Sequence, residues 1–271
     1  MTGRDFTDRV AVITGAAGGF GRALCKRFGA GGARIVGMDL NEKALNELKK
    51  ELEEAGIEAA VYPCDLTIEK DCNDGINYAL AKFGRIDLLY NNAGISHRSA
   101  FFNTDVSVIR RVMEVNFFSA VYCTKAALDS LIENKGMIIT MSSIAGFAPL
   151  IARTGYSASK HALHGFFDSL RTELESQGVK VMIVCPSFVK TGIDKRALGG
   201  DGKPASQPRQ QTGKPGLPEE QAEIIFQAAC QEKQLLLPST MSKVSYWIHK
   251  FCPGFYVKKM VAKLRKEMET R

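Results

Sequence analysis

Short apolar runs alternate along the chain with longer stretches in which apolar residues recur at helical spacing. The short runs have strand character and stand at Val10–Thr14, Arg34–Met38, Ala59–Tyr62, Ile86–Tyr90, Met137–Met141, Lys180–Val184 and Leu235–Leu237. The helical stretches lie at residues 20–30, 41–55, 68–82, 105–132, 155–176 and 219–231. Because strands that are apolar throughout are buried on both faces, this alternation predicts a parallel sheet with helices on each side. Right-handed crossovers make it a doubly wound, Rossmann-type α/β sheet of about seven strands.

Two segments fall outside the alternation. Residues 199–218 are rich in Gly, Pro, Gln and Lys without apolar periodicity, so a substrate loop over about 192–218 is either a flexible lid or a plain surface loop. Residues 239–271 carry a helical stripe flanked by lysines, at Val244, Trp247, Ile248, Phe251, Val257, Met260, Val261, Leu264 and Met268. We therefore predict one domain over residues 1–238 and a basic amphipathic helical C-terminal appendage over residues 239–271.

Composition narrows the class of protein. No apolar run approaches the roughly 20 residues that span a bilayer, and the first residues lack the apolar segment of a secretory signal. The seven cysteines form no Cys-x-x-Cys pair, and the four histidines have no ligand spacing with cysteines or acids. We expect free thiols, no metal site and a cytoplasmic protein.

The net charge of +7 lies mostly at the C-terminal end. From residue 238 onward there are eight basic and two acidic residues, a difference of +6, so the preceding body is close to neutral and we expect no nucleic-acid binding by it. The basic appendage can cover the substrate pocket, pack on a partner subunit, or make peripheral contact with an anionic membrane. Because its apolar stripe is costly to leave in water, packing against the enzyme is the preferred interpretation.

A glycine cluster after the first strand is typical of a dinucleotide site. Gly15, Gly19, Phe20 and Gly21 follow the strand and open a helix. The glycines permit a tight turn and close approach to a pyrophosphate, and the helix N-terminus supplies free N–H groups.

Two acidic residues follow the next strands. Asp39 can accept hydrogen bonds from both ribose hydroxyls of NAD, but it opposes the 2′-phosphate of NADP as a like charge. NAD is therefore favoured, although Arg22 or Arg34 leaves NADP open. Asp65 can contact the adenine edge or cap the helix that starts near Thr67.

Tyr156 and Lys160 stand four residues apart in a helical segment, so both side chains lie on one face. A phenol has a reference pKa near 10 and is a poor acid-base catalyst at neutral pH. A nearby ammonium favours the phenolate, which makes the pair a candidate for proton transfer, although this spacing also arises by chance.

With these motifs the sequence resembles the short-chain dehydrogenase/reductases over most of residues 8–237, and around Tyr156 it looks most like their hydroxysteroid-dehydrogenase-like branch. The matching positions are Thr14, Gly15, Gly19 and Gly21 in the glycine motif, Asn91 to Gly94 in the Asn-Asn-Ala-Gly signature, Asn116, and Ser143 thirteen residues before Tyr156. Ser142 is one position off and is the weaker candidate.

The resemblance implies a role for each matched residue. Tyr156 donates the proton to a carbonyl oxygen, Lys160 lowers the phenol pKa and binds the nicotinamide ribose, Ser143 polarises the substrate oxygen, and Asn116 holds a water that connects Lys160 to solvent. The cofactor site implied by the family adds Leu66, Asn92, Ala93, Gly94, Pro186, Val189 and Thr191. Ser187 departs from the family's glycine and puts the local loop shape in doubt. A homodimer or homotetramer is expected.

These residues together predict an NAD-dependent oxidoreductase of hydrophobic secondary alcohols or ketones. The expected substrate side is largely apolar and comprises Ile95, Ile144, Phe147, Leu150, Ile151, Phe188 and Ile193, with His97, Arg98 and Arg153 as its few ionisable groups. Two alternatives remain: an NADP-dependent reductase of 3-oxoacyl thioesters, and an NAD-sensing binding protein without turnover. Such sensors commonly lose the Tyr/Lys pair, which this chain keeps.

Overall fold

Parallel strands form a seven-stranded sheet in the computed structural model, which describes residues 3–193, 196–205 and 215–264. The strands are β1 Val10–Thr14, β2 Arg34–Asp39, β3 Ala59–Pro63, β4 Leu88–Asn91, β5 Met137–Met141, β6 Lys180–Val184 and β7 Leu235–Leu236. Their order is β3-β2-β1-β4-β5-β6-β7, and every neighbouring pair is parallel. The predicted doubly wound sheet is confirmed.

Helices follow the strands as the periodicity predicts. They are α1 Gly19–Ala30, α2 Glu42–Glu54, α3 Glu69–Phe83, α4 Val106–Met113, α5 Ser119–Glu133, α6 Thr154–Glu173, α7 Pro218–Cys230, α8 Thr240–Phe251 and α9 Pro253–Leu264. The single helix expected over residues 105–132 is wrong in one respect, because a π-helical turn at Glu114–Phe118 separates α4 from α5. The Ser119 N–H bonds to the Glu114 carbonyl there, five residues back.

The sheet is buried on both faces, which explains why its strands are apolar throughout. Ile13 and Tyr90 point to the face covered by α1, α2 and α7. Val12 and Leu89 point to the opposite face, covered by α3, α5 and α6. Each face has its own continuous core, and no polar stripe is left on the central strands.

The sheet order places the functional end of the molecule. From β1 the chain winds outward through β2 to β3, and it then crosses to β4 and winds the other way. Between β1 and β4 the connections therefore leave in opposite directions, which opens a crevice at the carboxyl ends of the strands. This is the position where doubly wound sheets bind ligands.

The C-terminal residues form two helices that fold against each other. Ser239 begins α8 with a capping box, since its hydroxyl accepts from the Ser242 N–H and the Ser242 hydroxyl accepts from the Ser239 N–H. His249 and Tyr256 bring α9 back onto α8, with ring centroids 5.5 Å apart. The division of the chain between residues 238 and 239 stays a prediction.

Parts of two predicted segments lie outside the described residues. They are residues 194–195 and 206–214 of the substrate loop, and residues 265–271 of the appendage. Within the described ranges, no helix has both the length and the apolar character needed to cross a membrane.

Candidate active site

A cleft of about 1340 Å³ follows the carboxyl ends of the strands. The predicted cofactor-side and catalytic residues line it, with the exception of Asn116, which is buried beside it. Residues that are far apart in sequence, such as Gly15, Asp39, Ser143 and Thr191, therefore share one cavity, because each lies at or beyond the carboxyl end of a strand of the same parallel sheet. Their roles stay predictions.

The glycine turn is shaped by its own backbone. Gly15 has a φ of 64°, a left-handed conformation that favours glycine. A Cβ on Gly21 would stand 2.1 Å from the Gly15 carbonyl oxygen, so only glycine fits where α1 leaves the turn. Gly18 precedes the helix in extended conformation and offers no side-chain cap. The first N–H groups of α1 thus remain available to an anionic group such as a pyrophosphate.

The ends of β1 and β4 are tied together by Asn92 and Thr14. The Asn92 amide donates to the carbonyl oxygens of Thr14 and Gly15 at 2.9 and 3.2 Å. The Thr14 hydroxyl accepts from the backbone N–H groups of Asn92 and Ala93, both at 3.1 Å. Asn92 therefore fixes the glycine turn, and its role toward a cofactor stays a prediction.

Asp39 is held at the edge of the same turn. One carboxylate oxygen accepts from the Ala17 N–H and the other from the Asn41 N–H, each at 3.0 Å. A carboxylate has about four lone-pair sites, so two remain for the hydroxyls of a ribose.

The two arginines considered as ligands of the 2′-phosphate of NADP have other partners. Arg22 donates to the Glu51 carboxylate and to the Ala44 carbonyl. Arg34 begins β2 at the end of the strand away from Asp39 and donates to the Asp8 carbonyl at 2.9 Å. The negative charge of Asp39 is therefore not neutralised by either of them.

Asp65 lies in the turn before α3 but does not cap that helix, whose N-cap residue is Ile68. Its contact with the adenine edge stays a prediction. Its carboxylate accepts from the N–H and the hydroxyl of Thr67 at 2.9 and 2.7 Å, which closes the turn before α3. It also lines the cleft next to Leu66. The helix itself begins two residues later than expected, at Glu69.

Lys160 and Tyr156 lie one turn apart on α6 and both face the cleft. The Lys160 ammonium donates to the Met141 carbonyl at the end of β5 over 2.7 Å, and it lies 5.8 Å from the centroid of the Tyr156 ring. Burial lowers the pKa of Lys160 to about 8. An ammonium has three donors, so two remain for a ribose or the phenol oxygen.

The two neighbouring serines have different surroundings. Ser142 is buried, its hydroxyl donates to the Lys160 carbonyl at 3.3 Å, and the His164 ring contacts it at 3.0 Å. Ser143 is half-buried, and its oxygen accepts from the Ala145 N–H at 3.2 Å. Its hydroxyl proton is therefore left for an oxygen in the cleft, which favours Ser143 over Ser142 as the polarising residue.

Asn116 sits in the π-helical turn and is engaged on both sides. Its carbonyl oxygen accepts from the Ile95 N–H at 2.8 Å, and its amide donates to the Ile95 carbonyl and the Ser159 hydroxyl at 3.0 and 2.9 Å. A Cβ on Gly94 would lie 3.3 Å from the Asn116 carbonyl oxygen and 3.5 Å from the Lys160 nitrogen. The asparagine thus holds the segment after β4 against the lysine.

The departure at Ser187 has a structural consequence of its own. The Ser187 oxygen accepts from the Ser239 hydroxyl at 2.9 Å, which links the loop after β6 to the first turn of α8. Pro186, Val189 and Thr191 line the cleft on either side, as expected. Ser187 does not have a positive φ, so a serine fits the backbone conformation of this loop.

The expected substrate side is correct only in part. Ile95, Ile144, Leu150, Phe188, Ile193 and Arg153 line the cleft, whereas Phe147, Ile151, His97 and Arg98 do not. Phe147 instead packs on Tyr246 of α8, with ring centroids 5.2 Å apart. His97 is fully buried, and burial lowers its pKa to about 4 with a smaller contribution from the charge of Arg153.

The C-terminal helices supply part of the cleft wall that the sequence did not assign. Met241, Ile248, Met260 and Leu264 line the cavity. The expectation that the whole apolar stripe is buried was wrong, because several of its side chains are exposed: Trp247, Phe251, Val257 and Val261. The helices bear apolar side chains on more than one face, and only one face can pack on the body.

Sequence reasoning also missed Arg196 and His164. The Arg196 guanidinium lines the cleft and lies 3.7 Å from where a Cβ on Gly18 would stand, so its charge faces the expected pyrophosphate position. His164 contacts Ser142 and the Cys185 thiol at 3.0 and 3.4 Å. Neither position has a sequence signal, since both contacts join distant segments. In the described residues no group of three or more metal-ligating side chains is found.

Comparison with known proteins places this geometry in context. A family model described as short chain dehydrogenase matches residues 9–199. Dehydrogenase/reductase SDR family member 7B of Mus musculus is 37% identical over 268 residues, covering 97% of this chain and 83% of that protein. The protein of the same name from Xenopus tropicalis is 35% identical over 278 residues, covering 100% of this chain and 90% of that protein.

Solved structures agree with the sequence matches. A short chain dehydrogenase/reductase from Burkholderia phymatum in complex with NAD superposes with a TM-score of 0.83 at 25% identity, covering 93% of this chain and 96% of that one. A metagenomic short-chain oxidoreductase in complex with NADP gives 0.71 at 28% identity, covering 86% and 98%. These two similar proteins differ in which of the two dinucleotides they hold.

Proposed function

The chain belongs to the short-chain dehydrogenase family, and we propose that it transfers a hydride between NAD(H) and a hydrophobic secondary alcohol or ketone. The observation that carries the proposal is that Tyr156, Lys160 and Ser143 share one cleft with the glycine turn and with an apolar wall. A proton donor, a cation and a hydroxyl donor are the groups that carbonyl reduction requires from a protein when a cofactor supplies the hydride.

The residues present fit a nicotinamide dinucleotide. When bound, that cofactor supplies the hydride or accepts it. In this chain the N-terminus of α1 binds the pyrophosphate, Asp39 binds the ribose hydroxyls, and Pro186, Val189 and Thr191 meet the nicotinamide end. NAD is preferred over NADP because the Asp39 carboxylate repels a 2′-phosphate, while Arg22 and Arg34 are engaged with other partners.

The proton chemistry follows from the polar groups that share the cleft. In reduction Tyr156 gives its phenolic proton to the carbonyl oxygen of the substrate, and in oxidation the phenolate takes the proton from the alcohol. The Lys160 ammonium favours the phenolate electrostatically. Ser143 donates its hydroxyl proton to the same substrate oxygen and stabilises the negative charge that develops there.

The substrate class follows from the cleft wall. Ile144, Leu150, Phe188, Ile248 and Met260 offer apolar surface beyond the reacting groups. Burial of apolar substrate surface contributes about 25 cal/mol per Å², so an extended hydrophobic ketone gains more from this wall than a small polar one.

The test is a steady-state assay with NADH and NADPH on a series of ketones of increasing apolar length and on a 3-oxoacyl thioester. We expect NADH to be preferred and kcat/KM to rise with apolar length. In the same assay Tyr156→Phe should lower kcat by about a hundredfold or more, the usual contribution of general acid-base catalysis, with the Kd for NADH little changed.

Tyr78→Phe is the matched control, because it removes a phenol that packs on Tyr62, away from the cleft. It should leave kcat unchanged. Retention of more than about a tenth of the rate by Tyr156→Phe contradicts the role of the phenol. Preference for NADPH and the thioester favours the acyl reductase instead.

A further inference from the structure

The C-terminal helix α8 presents an exposed face with an aromatic centre and basic borders. Trp247 and Phe251 are 52% and 70% exposed, and their rings stack with centroids 5.7 Å apart. Lys243 and Lys250 are exposed on the same side, at helical spacings from Trp247, and the Lys250 nitrogen lies 5.5 Å from the Trp247 ring centroid. We call Lys243, Trp247, Lys250 and Phe251, none of which lines the cleft, the outer face of α8.

Helix α9 extends the same chemistry. Phe255, Val257 and Val261 are exposed apolar side chains, although Phe255 also reaches the edge of the cleft. Lys258 and Lys259 are exposed beside them, and Lys259 also lines the cleft. The Lys259 nitrogen lies 5.6 Å from the Phe255 ring centroid. Two consecutive helices therefore each expose apolar side chains beside ammonium groups.

The charge of this segment has one sign. Residues 240–264 contain five lysines and no aspartate or glutamate. The aromatic rings would rest in water unless something covers them, and exposed apolar groups of this size rimmed by charge mark interaction surfaces. A partner that accepts both ammonium groups and apolar rings over a broad surface is an anionic lipid bilayer.

We propose that the outer face of α8, together with α9, docks this enzyme on an anionic membrane surface. The rings of Trp247 and Phe251 enter the boundary between headgroups and acyl chains, and the lysines contact the anionic headgroups. An acidic protein would match the lysines but would leave the stacked Trp247 and Phe251 rings without an apolar counterpart. The helices lie in the plane of the interface, because neither is long enough to span a bilayer.

The inner side of the same helices lines the cleft, through Met241, Ile248 and Met260. An apolar substrate dissolved in the bilayer would therefore meet the cavity wall directly behind the docking surface. This consequence rests on the proposed function, whereas the docking itself does not.

Trp247 allows the docking to be measured directly, because it is the single tryptophan of the chain. The full-length protein is titrated with vesicles of phosphatidylcholine alone and of phosphatidylcholine mixed with phosphatidylserine, and tryptophan emission is recorded. We expect a blue shift and quenching by lipids brominated on their acyl chains, only with the anionic vesicles. Raising the salt concentration should weaken binding, because exposed charges are screened.

Charge reversal separates the docking from general electrostatics. Lys243→Glu combined with Lys250→Glu should weaken vesicle binding by about tenfold or more. The matched control, Lys43→Glu combined with Lys50→Glu, reverses two exposed lysines at the same spacing on α2 and should bind as the wild type does. Phe251→Asp should abolish the quenching, and none of these variants changes a residue that lines the cleft.

Three outcomes overturn the proposal. The first is no emission change with anionic vesicles, the second is equal loss in the α2 control, and the third is a blue shift that appears without lipid and depends on protein concentration. The last would assign the outer face to a second copy of the chain. All of these measurements are independent of turnover, so failure of the proposed activity would not be mistaken for failure of docking.

Discussion

Burial sets the chemical behaviour of Lys160. The side chain is 4% exposed, and its pKa falls to about 8 from the 10.5 of an ordinary lysine. Below pH 8 the folded and unfolded chains both bind the proton, so the folded state bears the whole cost of a buried ammonium. Between about 8 and 10.5 the unfolded chain binds more protons, and stability therefore rises with pH.

This sign gives a test of the environment of Lys160 in the ligand-free protein. Lys160→Met removes the titrating group. The melting temperature of the variant minus that of the wild type should therefore be highest near pH 7 and should decline as the pH approaches 10.5. Over this pH range the difference in free energy of unfolding between the variant and the wild type should change by at most about 3 kcal/mol. Lys43→Met, on the exposed surface of α2, is the control and should show no such trend. A constant difference across the range would mean that Lys160 titrates normally.

A single carboxylate, that of Asp39, is expected to determine whether the protein prefers NAD or NADP. Asp39→Ala combined with Leu40→Arg removes the repulsion and adds a cation at a side chain that lines the cleft and is 71% exposed. The ratio of kcat/KM with NADPH to that with NADH should rise by about a hundredfold. Leu40→Arg alone should shift the ratio much less, since the carboxylate remains. An unchanged ratio in the double variant would remove Asp39 from cofactor choice.

Single residues differ in how far their place could be predicted. The resemblance to the family selected Ser143 by its place thirteen residues before Tyr156, and its catalytic role stays a prediction. The structure adds that the neighbouring Ser142 hydroxyl donates to the Lys160 carbonyl. Arg196 and His164 could not be predicted, because their contacts depend on loops and faces that no local pattern describes. The place of His97 in the chain predicts a pocket residue, but its side chain is buried in the interior.

Among the elements, the π-helical turn at Glu114–Phe118 is the clearest departure from periodicity. A hydrophobic pattern of 3.6 residues per turn continues through it, so the sequence predicts one uninterrupted helix. The inserted residue is detected only by hydrogen bonding, and it carries Asn116 to the Ile95 backbone. Such turns are frequent at functional sites, and this one places the Asn116 amide against the Ile95 backbone and the Ser159 hydroxyl.

The turn from β1 to α1 offers a paired test at this scale. Gly21→Ala puts a Cβ 2.1 Å from the Gly15 oxygen and 2.7 Å from the Ala16 Cα, both backbone atoms that cannot yield cheaply. We expect the Kd for NADH to rise at least tenfold and the melting temperature to fall. Overpacking of this kind lowers the free energy of unfolding by about 1–3 kcal/mol.

Gly165→Ala is the control for the same substitution. It lies on the exposed side of α6 with no atom within 4 Å of the added Cβ, and alanine is the better helix former by about 1 kcal/mol. This variant should be as stable as the wild type or more so, with unchanged NADH binding. Isothermal titration and thermal melting on both proteins decide the matter, and equal effects would show that the turn has no special shape.

At the level of the whole molecule, the sheet order follows from local rules, whereas the place of the C-terminal helices does not. Alternating strands and helices with right-handed crossovers specify a doubly wound sheet and hence a cleft at the carboxyl ends of its strands. The appendage has apolar residues on more than one face, so periodicity predicts a helix without saying which face packs. Contacts settle it, through Tyr246 on Phe147 and Ser239 on Ser187.

Two faces of one helix should then affect different properties of the enzyme. Ile248 lines the cleft, whereas Phe251, three residues further along α8, is 70% exposed and does not. Ile248→Asn should raise KM for an apolar ketone by about tenfold or more, because a buried aliphatic contact stabilises by about 1.5–3 kcal/mol. The kcat and the Kd for NADH should be nearly unchanged. Phe251→Asn should leave all three constants unchanged in buffer without lipid and should weaken only vesicle binding. Steady-state kinetics of both variants checks this division. Equal KM values for the two would mean that α8 does not form part of the substrate wall, and that its contact with the cleft has no role in recognition.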